Sequence, residues 1–121
     1  MLFYAYSGEL NTEDTGMKDA DGAVTYEITA TIESELVERY ERYMVDRHIP
    51  DLMATGCFTS ASFSRSSVGR YRIRYEARDR EHLDRYLAQH ASETREDFSS
   101  HFPSGAVVER EVWDVLKLFE N

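Results

Sequence analysis

The sequence predicts an α+β domain built from two strand–helix–strand halves joined by a hairpin, in the order βαββαβ. Three observations carry this expectation. Four segments contain apolar and polar residues in strand-like runs, two segments between them carry apolar stripes at helical spacing, and Gly or Pro punctuates the junctions. The chain has 121 residues, 41% hydrophobic and 12% aromatic, so it is a single domain able to bury a real core rather than a disordered segment.

Residues 1 to 22 stand apart. After the apolar Leu2-Phe3-Tyr4-Ala5-Tyr6, the stretch from Gly8 to Gly22 is acidic, turn-rich and without periodicity, which reads as a flexible extension. Leu2 to Tyr6 has an alternative reading as a short extra strand on a sheet edge. One hypothesis is that translation starts at Met17; N-terminal mass analysis showing native protein that begins at Met1 would sink it. Asp19-Ala20-Asp21-Gly22 has the look of a calcium loop, but the last ligand position falls on Ile28 where a Glu is required. It is read as a turn.

From Ala23 the pattern is regular. Val24, Tyr26, Ile28, Ala30 and Ile32 alternate with Thr25, Glu27, Thr29 and Thr31, the signature of a strand with one buried face. Ser34 is placed to cap a helix whose stripe is Val37, Tyr40, Met44 and His48, with Glu35–Arg39 and Glu38–Arg42 pairs on the wet side. Pro50 disfavours helix at Ile49, so the helix is expected to stop near His48. Gly56 then turns the chain into a second strand, Cys57 to Arg65, and Ser66-Ser67-Val68-Gly69 makes the hairpin to a third, Arg70 to Ala77.

Asp79 can cap the second helix, whose stripe is Leu83, Tyr86, Leu87, His90 and Ala91, followed by Phe98 and Phe102. The polar run Ser92 to Arg95 is a candidate kink, and Pro103-Ser104-Gly105 ends the helix. Ala106 to Val115 is the fourth strand. The domain is thus drawn as residues 23–116, followed by a tail, 117–121. The order is the ferredoxin-like plan: an antiparallel four-stranded sheet, order 4-1-3-2, with two helices on one face.

The net charge of −9 argues against nucleic acid and anionic membrane surfaces as partners. No apolar run reaches the length of a membrane span, and Leu2 to Tyr6 is too short for a signal-peptide core. One cysteine allows no intrachain disulfide, so a cytoplasmic setting is expected.

Tyr26-Glu27-Ile28, His48-Ile49-Pro50 with Ala54-Thr55-Gly56-Cys57-Phe58-Thr59-Ser60-Ala61, Tyr71-Arg72-Ile73-Arg74-Tyr75, and Tyr86-Leu87 before His90-Ala91 resemble the uncharacterised bacterial family domain of unknown function 4286. The resemblance covers about residues 23 to 115, and its most specific part is His48 to Ala61. It implies similarity to dimeric α+β barrel proteins, in which two ferredoxin-like sheets pack face to face. That group holds cofactor-free monooxygenases, cyclases, isomerases, haem-degrading enzymes and plain binding proteins, so the fold does not carry the function.

No complete catalytic or metal motif stands in the chain. His48 reads either as a ligand partner and general acid at a cleft mouth, protonated through its place at a helix C-terminus, or as a helix-capping histidine. Cys57 lacks a third group to hold a base and reads as a small hydrophobe opening a strand. His90 and His101 share a face of a continuous helix only at about 16 Å along its axis, and His82 lies elsewhere, so no metal site is expected. Arg70, Arg72 and Arg74 faintly resemble an RNA-recognition strand, but Tyr71 and Tyr75 fall on the side of Ile73, under the helices. Those arginines are better explained by pairing with Glu27 and with either Glu109 or Arg110 across the open face.

The reading that results is a homodimer through the sheets, with Leu116, Leu118 and Phe119 clasping the partner. It binds a small, partly aromatic molecule in a helix–sheet cleft lined by Tyr26, Tyr40, Tyr75 and Trp113, with His48 at the rim. If it is an enzyme, the chemistry is cofactor-free acid–base work of a cyclase, isomerase or monooxygenase kind, with His48 as the acid. The competing reading is a non-catalytic interaction module with a closed core.

Overall fold

The strand register is set by the alternation in the sequence. In the computed structural model, which describes the backbone of residues 17–19 and all of residues 22–121, Tyr26 lies opposite Tyr75 on one side and Val112 on the other. The strands are β1 (Met17–Asp19), β2 (Val24–Ile32), β3 (Ser60–Ser67), β4 (Arg70–Ala77), β5 (Ala106–Asp114) and β6 (Lys117–Phe119). The helices are α1 (Val37–Tyr43), α2 (Ile49–Ala54), α3 (Arg80–Gln89) and α4 (Ala91–His101). The main sheet is antiparallel with order β3-β4-β2-β5, which is the expected 4-1-3-2 read from the other edge.

The inward parity of β2 and β4 is apolar or aromatic throughout. Val24, Tyr26, Ala30, Tyr71, Ile73, Tyr75 and Ala77 are buried with Leu83 and Tyr86 of α3 and Tyr40 and Tyr43 of α1 in one core. The outward parity carries the charges, and Glu27 meets Arg74 at 3.0 Å, directly opposite it in register. Glu109 and Glu111 share that outward face, opposite Thr29 and Glu27, whereas Arg110 lies opposite Ile28 on the helix side.

The first helix does not stop near His48. A π-helical turn, Met44–His48, carries the chain on into α2, which ends at Ala54. The Ile49 N–H reaches back five residues to the Met44 carbonyl. This wider turn accommodates Pro50, which brings no N–H and a ring that crowds the preceding turn, in the first turn of α2. Ser34 is not a cap: it sits inside a 3₁₀ turn, Ser34–Leu36, and the flanking Glu33 makes no side-chain capping bond. Asp79 does cap α3, accepting from the His82 N–H at 2.9 Å.

The second helix breaks at His90 (φ −128°), just before the polar run. Thr94 stays helical, its hydroxyl bonded to the Ala91 carbonyl at 3.1 Å and the Tyr86 hydroxyl at 2.6 Å. The second strand starts at Ser60 rather than Cys57, because Cys57 and Phe58 turn into the core first. A bulge between Arg65 and Ser67 extends it to a two-residue Val68-Gly69 turn. Gly69 is required there: its φ is +83°, and a Cβ would lie 2.6 Å from the Ile32 carbonyl oxygen.

The tail pairs within its own chain. β6 forms an antiparallel two-stranded ribbon with β1, Lys18 opposite Leu118, inside the stretch read as an extension. The rest of that extension, including the possible strand Leu2 to Tyr6, lies outside the described residues. Among the described residues no helix is long and apolar enough to cross a membrane.

Candidate functional site

The aromatic residues of the core form two clusters. Tyr26, Phe58, Tyr75 and Tyr86 have ring centroids 5.1 to 6.3 Å apart. Tyr40, Tyr43, Phe63, Tyr71, Phe98 and Phe102 form the second, at 4.9 to 6.2 Å. A cleft lies between helices and sheet where the clusters face each other, and members of both line it. It is narrow, a cavity of about 40 Å³. Ile28, Met44, Leu52 and Val108 supply apolar wall.

The polar groups of the cleft differ in how well they are satisfied. Tyr26 Oη accepts from Arg95 Nη2 at 2.8 Å, and Tyr86 Oη is bonded to Thr94 Oγ1. Tyr75, only 1% exposed, has a hydroxyl with no hydrogen-bond partner among the described residues. An orphan of this kind costs stability and calls for a reason. Burial drives the Tyr75 hydroxyl above the ordinary tyrosine pKa, so it remains a neutral donor.

His48 sits on the π turn, half-buried, its ring 5.8 Å from Phe98 and 5.7 Å from Tyr43. The helix continues past it, so the C-terminal field expected to favour imidazolium is not there. Burial lowers its pKa to about 4, against the opposing pull of Asp97 and Asp51. His48 is therefore neutral at pH 7. Tyr43 Oη donates its one proton to Asp97 Oδ2 at 2.6 Å, so the longer 3.4 Å approach to His48 Nδ1 requires the proton on Nδ1, leaving Nε2 as acceptor. Arg47 grips the same carboxylate with Nε at 2.9 Å and Nη2 at 2.7 Å. Those bonds, with the one from Tyr43, hold the Asp97 pKa down at about 2.

Of the expected site residues, Tyr26, Tyr40, Tyr75 and His48 line this cleft. Trp113 does not. Register puts Val112 opposite Tyr26, so Trp113, opposite Thr25, points from the other face of the sheet and is 50% exposed. Cys57 is buried in the core with its Sγ 3.9 Å from the Thr55 carbonyl, and it is no part of the cleft lining. His82 is bonded to Asp79, and His101 donates to the Asp97 carbonyl. Arg95, Arg110, Tyr86, Thr94 and Phe98 line the cleft beyond expectation. Arg110 had a signal, because it shares the parity of Val108 and Val112 on an inward face; Arg95, within a polar helical run, had none.

Comparison with known proteins fits this architecture. A family model matches residues 23–116. The chain belongs to the family Domain of unknown function (DUF4286). No curated protein matches it. Among solved structures it is similar to a variant of SnoaB, a cofactor-independent oxygenase from Streptomyces nogalater, with a TM-score of 0.62 and 15% identity over 77% of this chain and 92% of that one. A putative antibiotic biosynthesis monooxygenase from Caulobacter crescentus gives a TM-score of 0.60 at 12% identity, covering 81% of this chain and 93% of its own. A dimeric ferredoxin-like protein from an uncultured marine organism gives 0.58 at 18% identity, covering 77% and 94%. At such identities the likeness establishes the fold alone: ferredoxin-like, the architecture that these dimeric α+β barrel neighbours share.

Proposed function

We propose that this DUF4286 chain acts as a homodimer that binds a small, partly aromatic molecule in the cleft between its helices and sheet. The observation that carries the reading is the unpartnered Tyr75 hydroxyl on a cleft between two aromatic clusters. A flat ring entering the gap would extend both clusters, and a polar atom on it would satisfy Tyr75. Because the cleft is narrow, side chains at its mouth must turn aside to admit a ring. In this reading His48 serves as a neutral acceptor or base rather than as the acid. Any reaction would then be cofactor-free proton transfer, in keeping with the description of SnoaB as cofactor-independent.

The dimer is supported by the open sheet face. Arg70, Arg72 and Arg74 occupy β4, Glu109 and Glu111 occupy β5, and a two-fold pairing of faces can set one group against the other. Trp113, Leu116 and Phe119 are exposed nearby in sequence, the last two at 80% and 72%. Light scattering is expected to give twice the 14.1 kDa chain mass. A proton–nitrogen NMR titration of the histidine rings with aromatic acids and phenols tests the cleft: His48 should move with a ligand while His82 stays still. The narrowness of the cleft favours a second reading, an interaction module with a closed core. A monomer whose His48 responds to no compound would decide for that module.

A further inference from the structure

The charge of the cleft runs against the charge of the chain. The sequence holds 23 Asp and Glu residues against 14 Lys and Arg, yet the cleft lining contains two arginines and no carboxylate. Arg95 comes from α4 and Arg110 from β5, so the two guanidiniums reach the cleft from the helix layer and from the sheet. Arg47, Arg65, Arg74 and Arg80 all have carboxylate partners. Among the described residues neither Arg95 nor Arg110 is ion-paired, and Arg95 spends one donor on Tyr26 Oη. Both side chains are exposed, whereas Tyr75 is buried. The cationic groups thus stand at the rim and the orphan hydroxyl stands deep.

We infer that the ligand of this cleft is an aromatic carboxylate, its acid group held at the rim by Arg95 and Arg110 and a second oxygen directed inward to Tyr75. This rests on the reading of the cleft as a small-molecule site and narrows it to a chemical class. The planar guanidinium fork matches a planar carboxylate, and two forks from separate layers fix its direction. Flat aromatic walls suit the ring behind it. His48 beside them adds no charge of its own and leaves the acid to the arginines. Two cations at the rim of an otherwise acidic chain also favour an anion at the mouth.

The test uses 4-hydroxybenzoate, 4-hydroxyphenylacetate and 2-naphthoate, each beside its methyl ester, with phenyl phosphate as a further arm. Binding is read by calorimetry and by the His48 ring and arginine Nε–H signals. At least one acid is expected to bind roughly 10-fold or more tightly than its ester, the size of a charge-assisted contact. Arg95→Gln and Arg110→Gln should each remove about that advantage, lowering the acid's affinity more than the ester's. Thermal melts of the variants check that the fold is intact, and Arg110→Lys, which keeps the charge without the fork, should fall between. Acid and ester binding alike would overturn the inference and leave the cleft reading standing. Phenyl phosphate binding above every carboxylate would overturn the carboxylate. If none of the compounds binds, both fall.

Discussion

The two faces of the sheet are made by the same strands and solve different problems. On β4 the inward residues Tyr71, Ile73 and Tyr75 are buried, while Arg70, Arg72 and Glu76 on the opposite parity are exposed. The inward face is closed by the chain's own helices, and its incompleteness is local: one hydroxyl and one narrow gap. The outward face has no cover from its own helices, and its charges are matched only in part, through Glu27 and Arg74. A local vacancy suits a small ligand, whereas a whole polar face suits a second copy. In the proposed function, binding and assembly thus fall on opposite faces of a single sheet, one residue apart.

Neighbouring substitutions on β4 give the sharpest way to break it. Ile73→Ala, at a site 1% exposed, is expected to lower unfolding free energy by about 2–5 kcal/mol. Arg72→Ala should change the stability of the monomer by no more than about 0.5 kcal/mol. If the proposed dimer forms through this face, Arg72→Ala should instead make the midpoint depend less steeply on protein concentration, because a looser pair adds less stability as concentration rises. Urea denaturation at two protein concentrations measures both. Equal losses for the two variants would mean that the outward face is as tightly packed as the inward one.

Much of this division was legible because strand parity is a two-residue rule that survives without any knowledge of tertiary contacts. Val24 to Ile32 gave the first strand, its buried face and, through it, Tyr26 on the cleft. Trp113 was misplaced because the fourth strand has apolar residues on both parities: Val107 faces out and Val108 faces in. Pro50 was read by the ordinary α-helical rule, and a π turn is a non-local accommodation that no local signal announces. That turn also puts His48 inside a helix rather than at its end, and burial there lowers its pKa. Asp97 is 49 positions from His48 in sequence, so the Tyr43–Asp97–Arg47 network could only emerge from packing.

That network predicts a stability profile confined to acid pH. His48 has an ordinary pKa of 6.5 and one of about 4 in the fold. Asp97 goes from 3.8 to about 2. Both groups take up a proton more readily in the unfolded chain, so the unfolded state binds more protons and stability falls as pH falls. His48 contributes in full above about pH 6.5 and its share is lost on the way down to about 4; the share of Asp97 is lost between about 3.8 and 2. Asp97→Asn, which weakens a partly exposed charge-assisted pair, should lower stability by about 1 kcal/mol at pH 7 and flatten the lower window. His48→Asn should flatten the upper window. Chemical denaturation from pH 7 to pH 2 separates them, and an upper window unchanged in the His48 variant would exclude the buried neutral imidazole.

The smallest expected effect is the most informative about the inward face. Tyr75→Phe removes only the hydroxyl that has no partner, leaving the ring against Tyr26 and Phe58. An ordinary buried tyrosine loses stability on this change because a hydrogen bond goes with the oxygen. Here no bond is lost and a desolvation penalty is relieved, so the variant should be as stable as the parent or more stable, by up to about 1 kcal/mol. Affinity for a ligand with an inward oxygen should meanwhile fall. A thermal melt read beside a calorimetric titration measures the two quantities on the same sample. Opposite signs mean that the orphan is kept for binding at the expense of the fold. A loss of stability with no loss of affinity would make the Tyr75 hydroxyl a structural group satisfied by water, and would move the search for function from the inward face to the outward one.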